Sequence, residues 1–212
     1  MWGPIARMSR RTPWIAVLTI FVASAAQAQD PDIIIEGEVP PGSETHFFLP
    51  FQVPDGIVEI EVRHDNLTEG NILDWGLDDP SGFRGWGGGN SEPAIVGIQA
   101  ASRSYVPGPM PAGTWEVVVG KARIDALPAL YRVEIFLRTE ATLPDQPRTP
   151  YRDPGVLVDE AGWYAGDFHV HSRQSGDATP TIGDALALAD ETGLDFVVLT
   201  EHNTNSGLTL YG

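Results

Sequence analysis

Between residues 30 and 138 the chain alternates apolar and polar residues in short runs, and Gly- or Pro-containing pairs interrupt the runs every ten residues or so. This feature limits the fold more than any other. Thr45 to Val53, Ile57 to Val62, Thr114 to Val119 and Tyr131 to Leu137 each carry the period of two that puts one set of side chains on a single face of a strand. Pro41-Gly42, Asp55-Gly56 and Ala112-Gly113 supply the turns. No helical period of comparable length occurs in this stretch. Such a chain buries its apolar faces by stacking antiparallel sheets, so residues 29–138 are predicted to form an all-β sandwich, jelly-roll-like in topology. Trp75 and Trp115 lie in strand-like contexts and are candidates for its core. The segment Asp78 to Asn90 (DDPSGFRGWGGGN) surrounds Phe83, Arg84 and Trp86 with glycines. It reads as a long hairpin whose aromatics fold back on the sandwich, with a sugar- or aromatic-binding loop as the alternative.

Residues 139–162 open with TEATLPDQPRTPYRD, which has three prolines and few apolar residues, the composition of a linker. The pattern then changes. Trp163 to His171 is strand-like. Thr181 to Thr192 carries Ile182, Leu186 and Ala189 at helical spacing, opened by Thr181 and Asp184 as a capping-box variant and closed by Gly193. Phe196 to Leu199 is a short apolar run of the kind found in buried parallel strands. Residues 163–212 therefore begin a βαβ unit, whose right-handed crossover brings the loops after both strands to one rim.

The first 28 residues read as a signal peptide. Arg7, Arg10 and Arg11 form a basic start, Trp14 to Ala23 is an apolar run too short to span a bilayer, and Ala26-Gln27-Ala28 is a cleavage site. The mature chain is expected to be periplasmic or extracellular, with Sec and Tat export both open. Loss of those three arginines takes the net charge from −16 to −19, which argues against nucleic acid or an anionic membrane as a partner. The chain has no cysteine, so any metal must be held by His, Asp and Glu, the ligands of Zn, Mn, Fe or Mg sites.

Three of the five histidines fall in the C-terminal region, at strand ends. His169 and His171 are two apart and face the same way, at a separation two imidazoles can span around one cation. Asp177 follows in the next loop and His202 comes just after the second strand, so all four are expected on the active rim. His46 and His64 belong to the sandwich and are expected to be structural or exposed.

Asp167-Phe168-His169-Val170-His171-Ser172, then Ser175-Gly176-Asp177, then Thr200-Glu201-His202-Asn203 resemble the first two motifs of the polymerase and histidinol phosphatase (PHP) family, with eight residues from His169 to Asp177 and 25 from Asp177 to His202. A sandwich preceding such a region on an exported chain further resembles the CehA/McbA group of metallohydrolases. The resemblance implies a distorted TIM-like barrel and two or three divalent ions (Zn, Mn or Fe). It assigns His169 and His171 to one ion and Asp177 and His202 to its neighbour, with Asp167 orienting a histidine from behind. Glu201 replaces the family's usual Asp and receives no role. The implied reaction is hydrolysis of a small-molecule phosphoester, or a related ester, amide or carbamate, by a metal-activated water. No His, Asp or Glu follows His202, whereas the family's barrel needs further βα units and ligands. The sequence thus reads as the front part of a longer enzyme, C-terminally truncated and with little turnover of its own. Two alternatives are a secreted binding module that carries a non-catalytic barrel remnant, and metal binding without catalysis.

Overall fold

The computed structural model describes residues 29–210, apart from 147, 149–151 and 154; the expected signal segment lies outside the described residues. Eight strands come first: β1 (Ile33–Glu38), β2 (His46–Val53), β3 (Glu59–Asn66), β4 (Ile72–Asp79), β5 (Gly82–Gly88), β6 (Ala94–Gly97), β7 (Gly113–Arg123) and β8 (Leu130–Arg138). They form two antiparallel four-stranded sheets, ordered β1-β8-β3-β6 and β2-β7-β4-β5. This is the strand order of a double-sheet jelly roll, and the sandwich expected from the alternating runs is the arrangement found. Ile60, Val62, Val133 and Ile135 of the first sheet share one core with Trp75, Leu77, Trp115 and Val117 of the second.

The glycine-rich segment forms the β4–β5 hairpin. Asp79 closes its turn by accepting hydrogen bonds from the Ser81 and Gly82 amides at 2.6 and 2.9 Å. Arg84 is a strut rather than a ligand contact: its guanidinium pairs with Asp79 at 2.8 Å and donates to the Val106 and Pro109 carbonyls. Phe83 stays half exposed, but Trp86 folds back as expected. Its indole lies across Gly76 of β4 and Gly120 of β7, where a Cβ on Gly120 would sit 3.0 Å from the ring and one on Gly76 would strike it. His46 packs edge-on to this indole at 5.5 Å, and His64 stacks on Trp75 at 4.7 Å, so both sandwich histidines have structural roles. Burial lowers the His64 pKa to about 4.

The linker is docked where it starts. Glu59, almost wholly buried, accepts from the Thr142 amide and hydroxyl, the Leu143 amide and Arg138. Gln146 then exchanges two hydrogen bonds with the Ala101 backbone. Beyond it, β9 (Gly166–Val170), α1 (Ile182–Thr192) and β10 (Phe196–Leu199) form the expected βαβ unit with a parallel β9–β10 pair. Thr181 and Asp184 form the complete capping box, and Gly193 ends the helix at φ +73°.

The expected burial of β10 is not realised among the described residues. One strand pair and one helix cover little surface, so Val198 of β10 and Leu186 and Leu188 of α1 (51% and 60% accessible) stay exposed. The described residues hold this single unit and no barrel. None of their helices is long and apolar enough to cross a membrane.

Candidate metal centre

Parallel pairing sets the site. Phe196 lies opposite Gly166, and its ring fills the space a Cβ would take there; Leu199 lies opposite Val170, and the Thr200 amide donates to the Val170 carbonyl at 2.8 Å. The two strands therefore end side by side, and His171 and Ser172 meet Glu201 and His202. Ser172 caps a single 3₁₀ turn, Arg173–Ser175, and Gly176 at φ +82° leaves it toward Asp177.

Two residues fasten the loops together. The Glu201 carboxylate accepts from the Ser172 amide through both oxygens at 3.2 Å and also from the Ser172 hydroxyl. The Glu201 side chain thus has a structural use, since it reaches across to the neighbouring loop. The buried Ser175 hydroxyl accepts from the His202 amide at 2.8 Å and lies 3.0 Å from His171 Nδ1.

His171, Asp177 and His202 each offer one donor atom, and these lie within 4.8 Å of one another, so the three can hold a metal ion. Asp177 stands between the rings, with Oδ1 3.4 Å from His171 Nδ1 and Oδ2 3.3 Å from His202 Nε2. Each distance is near the edge of roughly 3.3 Å in a tetrahedron of metal–ligand bonds of about 2.0–2.1 Å, but they run to different oxygens of Asp177, and the three donors as a set spread over up to 4.8 Å. Two imidazoles and a carboxylate suit Zn, Mn or Fe. Burial pushes the Asp177 carboxyl upward, but the Ser175 hydroxyl, its own amide and the two histidine rings outweigh this and hold it below the ordinary carboxylate range. His171 Nδ1 faces both Ser175 and Asp177, so a cation bound there competes with the Ser175 hydrogen bond.

The grouping differs from the two-and-two division that the resemblance implies. His169 has its ring 4.9 Å from that of His171 but stays outside the three-residue group. With Asp167 and His171 it lines a separate groove between β9 and α1. Asp167 accepts from the His169 amide at 2.8 Å, so it fixes the backbone instead of an imidazole.

No protein-family model, curated protein or solved structure matches this chain. What ties the site to the rest of the molecule is a polar junction with no sequence signal. Ser104, in the left-handed region at φ +72°, donates from its amide to Gln174 Oε1 at 3.1 Å and from its hydroxyl to the Gln174 carbonyl at 2.6 Å. Ser206 donates to the same Oε1 at 2.8 Å, and Thr204 donates to the Ser104 carbonyl at 3.0 Å. Ser104 and Ser206 are fully buried and Gln174 is 8% accessible. The 3₁₀ turn that carries Ser175 is thereby locked to the sandwich. Gly85, at φ +146°, allows this because the Ser104 carbonyl and Tyr105 backbone pack where a side chain would project.

Proposed function

We propose that this protein is an exported, metal-dependent hydrolase of the PHP type, acting on a small phosphoester or a related ester, amide or carbamate. The observation that carries the reading is the convergence of His171, Asp177 and His202 on the rim of a parallel βαβ unit, with one donor atom from each gathered within 4.8 Å. On this reading β9, α1 and β10 are the first elements of a PHP-type barrel. His171 and His202 hold the cation through ring nitrogens and Asp177 supplies the anionic ligand, while Ser175 and Glu201 fix the two loops. His169 stands beside the site, in the groove it shares with Asp167. A divalent ion held by these residues would supply Lewis acidity and lower the pKa of a coordinated water.

The test is metal stoichiometry by calorimetric titration with Zn²⁺ and Mn²⁺, on the wild-type chain and on His171→Ala and His202→Ala. About one ion per chain is expected, with at least tenfold weaker binding in each variant, as for loss of one of three ligands. Turnover of p-nitrophenyl phosphate and a naphthyl carbamate, measured with and without the metal, tests the reaction class. Equal metal uptake by wild type and both variants overturns the site, and metal uptake without turnover of either ester leaves a binding protein.

A further inference from the structure

Asp177 and His202 also face a cavity of about 400 Å³ whose opposite wall belongs to the sandwich, formed by Asp74, Trp86 and the backbone of Gly87 to Asn90. Its size lies at the small end of the range of roughly 300–1,000 Å³ typical of ligand sites. The wall is built for close approach. Three successive glycines leave bare backbone at the end of β5, and Gly176 on the metal side lies so near that a Cβ there would meet the Gly87 carbonyl at 3.2 Å. Trp86, anchored across Gly76 and Gly120, gives the wall a rigid apolar flank.

Asp74 is the unexplained group. Among the described residues its half-buried carboxylate accepts no hydrogen bond, and no Lys or Arg lines the cavity. Burial raises its pKa, and the only charge acting against that is the His46 ring. A carboxylate partly stripped of water and left without a donor favours a ligand that brings a positive donor to it. On the other wall, a cation held by the triad offsets the Asp177 charge and attracts the reacting, electron-rich end of the same ligand.

We propose that this cavity seats the substrate's non-reacting end and that Asp74 selects a substrate with an ammonium group there. The proposal rests on the metal site described above, and its test separates the two. The Zn²⁺-loaded chain is titrated with 2-aminoethyl phosphate and with ethyl phosphate, which differ only by the amine, and both affinities are measured by calorimetry. The amine-bearing compound is expected to bind about tenfold more tightly, the worth of one charge-assisted hydrogen bond at a half-buried site. Asp74→Asn, isosteric at a position that makes no hydrogen bond, should abolish most of that preference and leave the Zn²⁺ affinity within twofold. Equal affinity for the two phosphates on a chain that binds Zn²⁺ overturns the proposal and leaves the metal site standing. A preference that survives in Asp74→Asn overturns the role of Asp74, and failure to bind Zn²⁺ overturns both readings.

Discussion

Gln174→Met tests whether the sandwich holds the metal loop in position. Methionine keeps nearly the volume and length of glutamine but removes Oε1, which accepts from the Ser104 amide at 3.1 Å and the Ser206 hydroxyl at 2.8 Å. Ser206 retains Thr204 as a neighbour at 3.1 Å, whereas the Ser104 amide has no other acceptor and lies in a fully buried residue. Leaving one buried amide unsatisfied costs about 1–3 kcal/mol. That cost falls on the docked arrangement, because undocking returns the amide to water. The 3₁₀ turn should therefore open more often, by a factor of about 5–150. Hydrogen exchange reads this directly. The Arg173 and Ser175 amides, bonded to Pro180 and Ser172, should lose protection by that factor, while the β3 and β8 amides in the other sheet keep theirs. Unchanged exchange at Arg173 and Ser175 would refute the argument that the junction orders the loop.

Three further outcomes follow from the same structure. Burial holds the His64 pKa near 4 in the folded state against 6.5 in the unfolded chain, so between those values only the unfolded chain takes up a proton. This part of the stability is present above pH 6.5 and is lost as pH falls to about 4, by about 3 kcal/mol; His64→Phe should flatten urea-derived stability over that window, and an unaltered slope would count against it. Glu201→Ala removes the acceptor of both Ser172 donors, and Zn²⁺ affinity should fall about tenfold as the two loops separate; unchanged affinity would make Glu201 irrelevant to the site. A peptide of residues 163–212 should show little helical circular dichroism and no tight Zn²⁺ binding, since it keeps all four candidate ligands but not Ser104. Zn²⁺ affinity equal to that of the full chain would show that the sandwich is dispensable.

The strands legible in the sequence were those with an unbroken period of two, such as Thr114 to Val119, where Trp115, Val117 and Val119 all point into the core. β4 and β5 are legible only as a strand-like context at Trp75 and a long hairpin over Asp78 to Asn90, without strand bounds, for a physical reason. Their glycines weaken any strand signal, yet Gly76 and Gly85 are there because an indole and a neighbouring backbone occupy the side-chain space. Helix α1 is readable from its caps and from the helical spacing of Ile182, Leu186 and Ala189, although Leu186 stays exposed. At the site, residue type and strand position sufficed to nominate His169, His171, Asp177 and His202. Which of them converge depends on the 3₁₀ turn, which brings Asp177 back between His171 and His202 and leaves His169 in another groove. The sequence assigns Ser175 and Glu201 no role, because a hydroxyl and a carboxylate in loops carry no periodic signature to say what they bond.

The sandwich and the βαβ unit are best understood as one device rather than as a module and its neighbour. The βαβ unit by itself buries little: its helix turns Leu186 and Leu188 to solvent, and its sheet has two strands. What orders its metal loop is hydrogen bonding to Ser104, a residue 70 positions earlier whose backbone is admitted by Gly85. The same β5 strand continues into the Gly87 to Gly89 wall of the cavity beside Asp177 and His202. A single glycine-rich strand thus both orders the candidate metal ligands and shapes the space in front of them. Substitutions along β5 should then alter metal affinity and ligand preference together, a linkage that two independent domains joined by a linker would not produce.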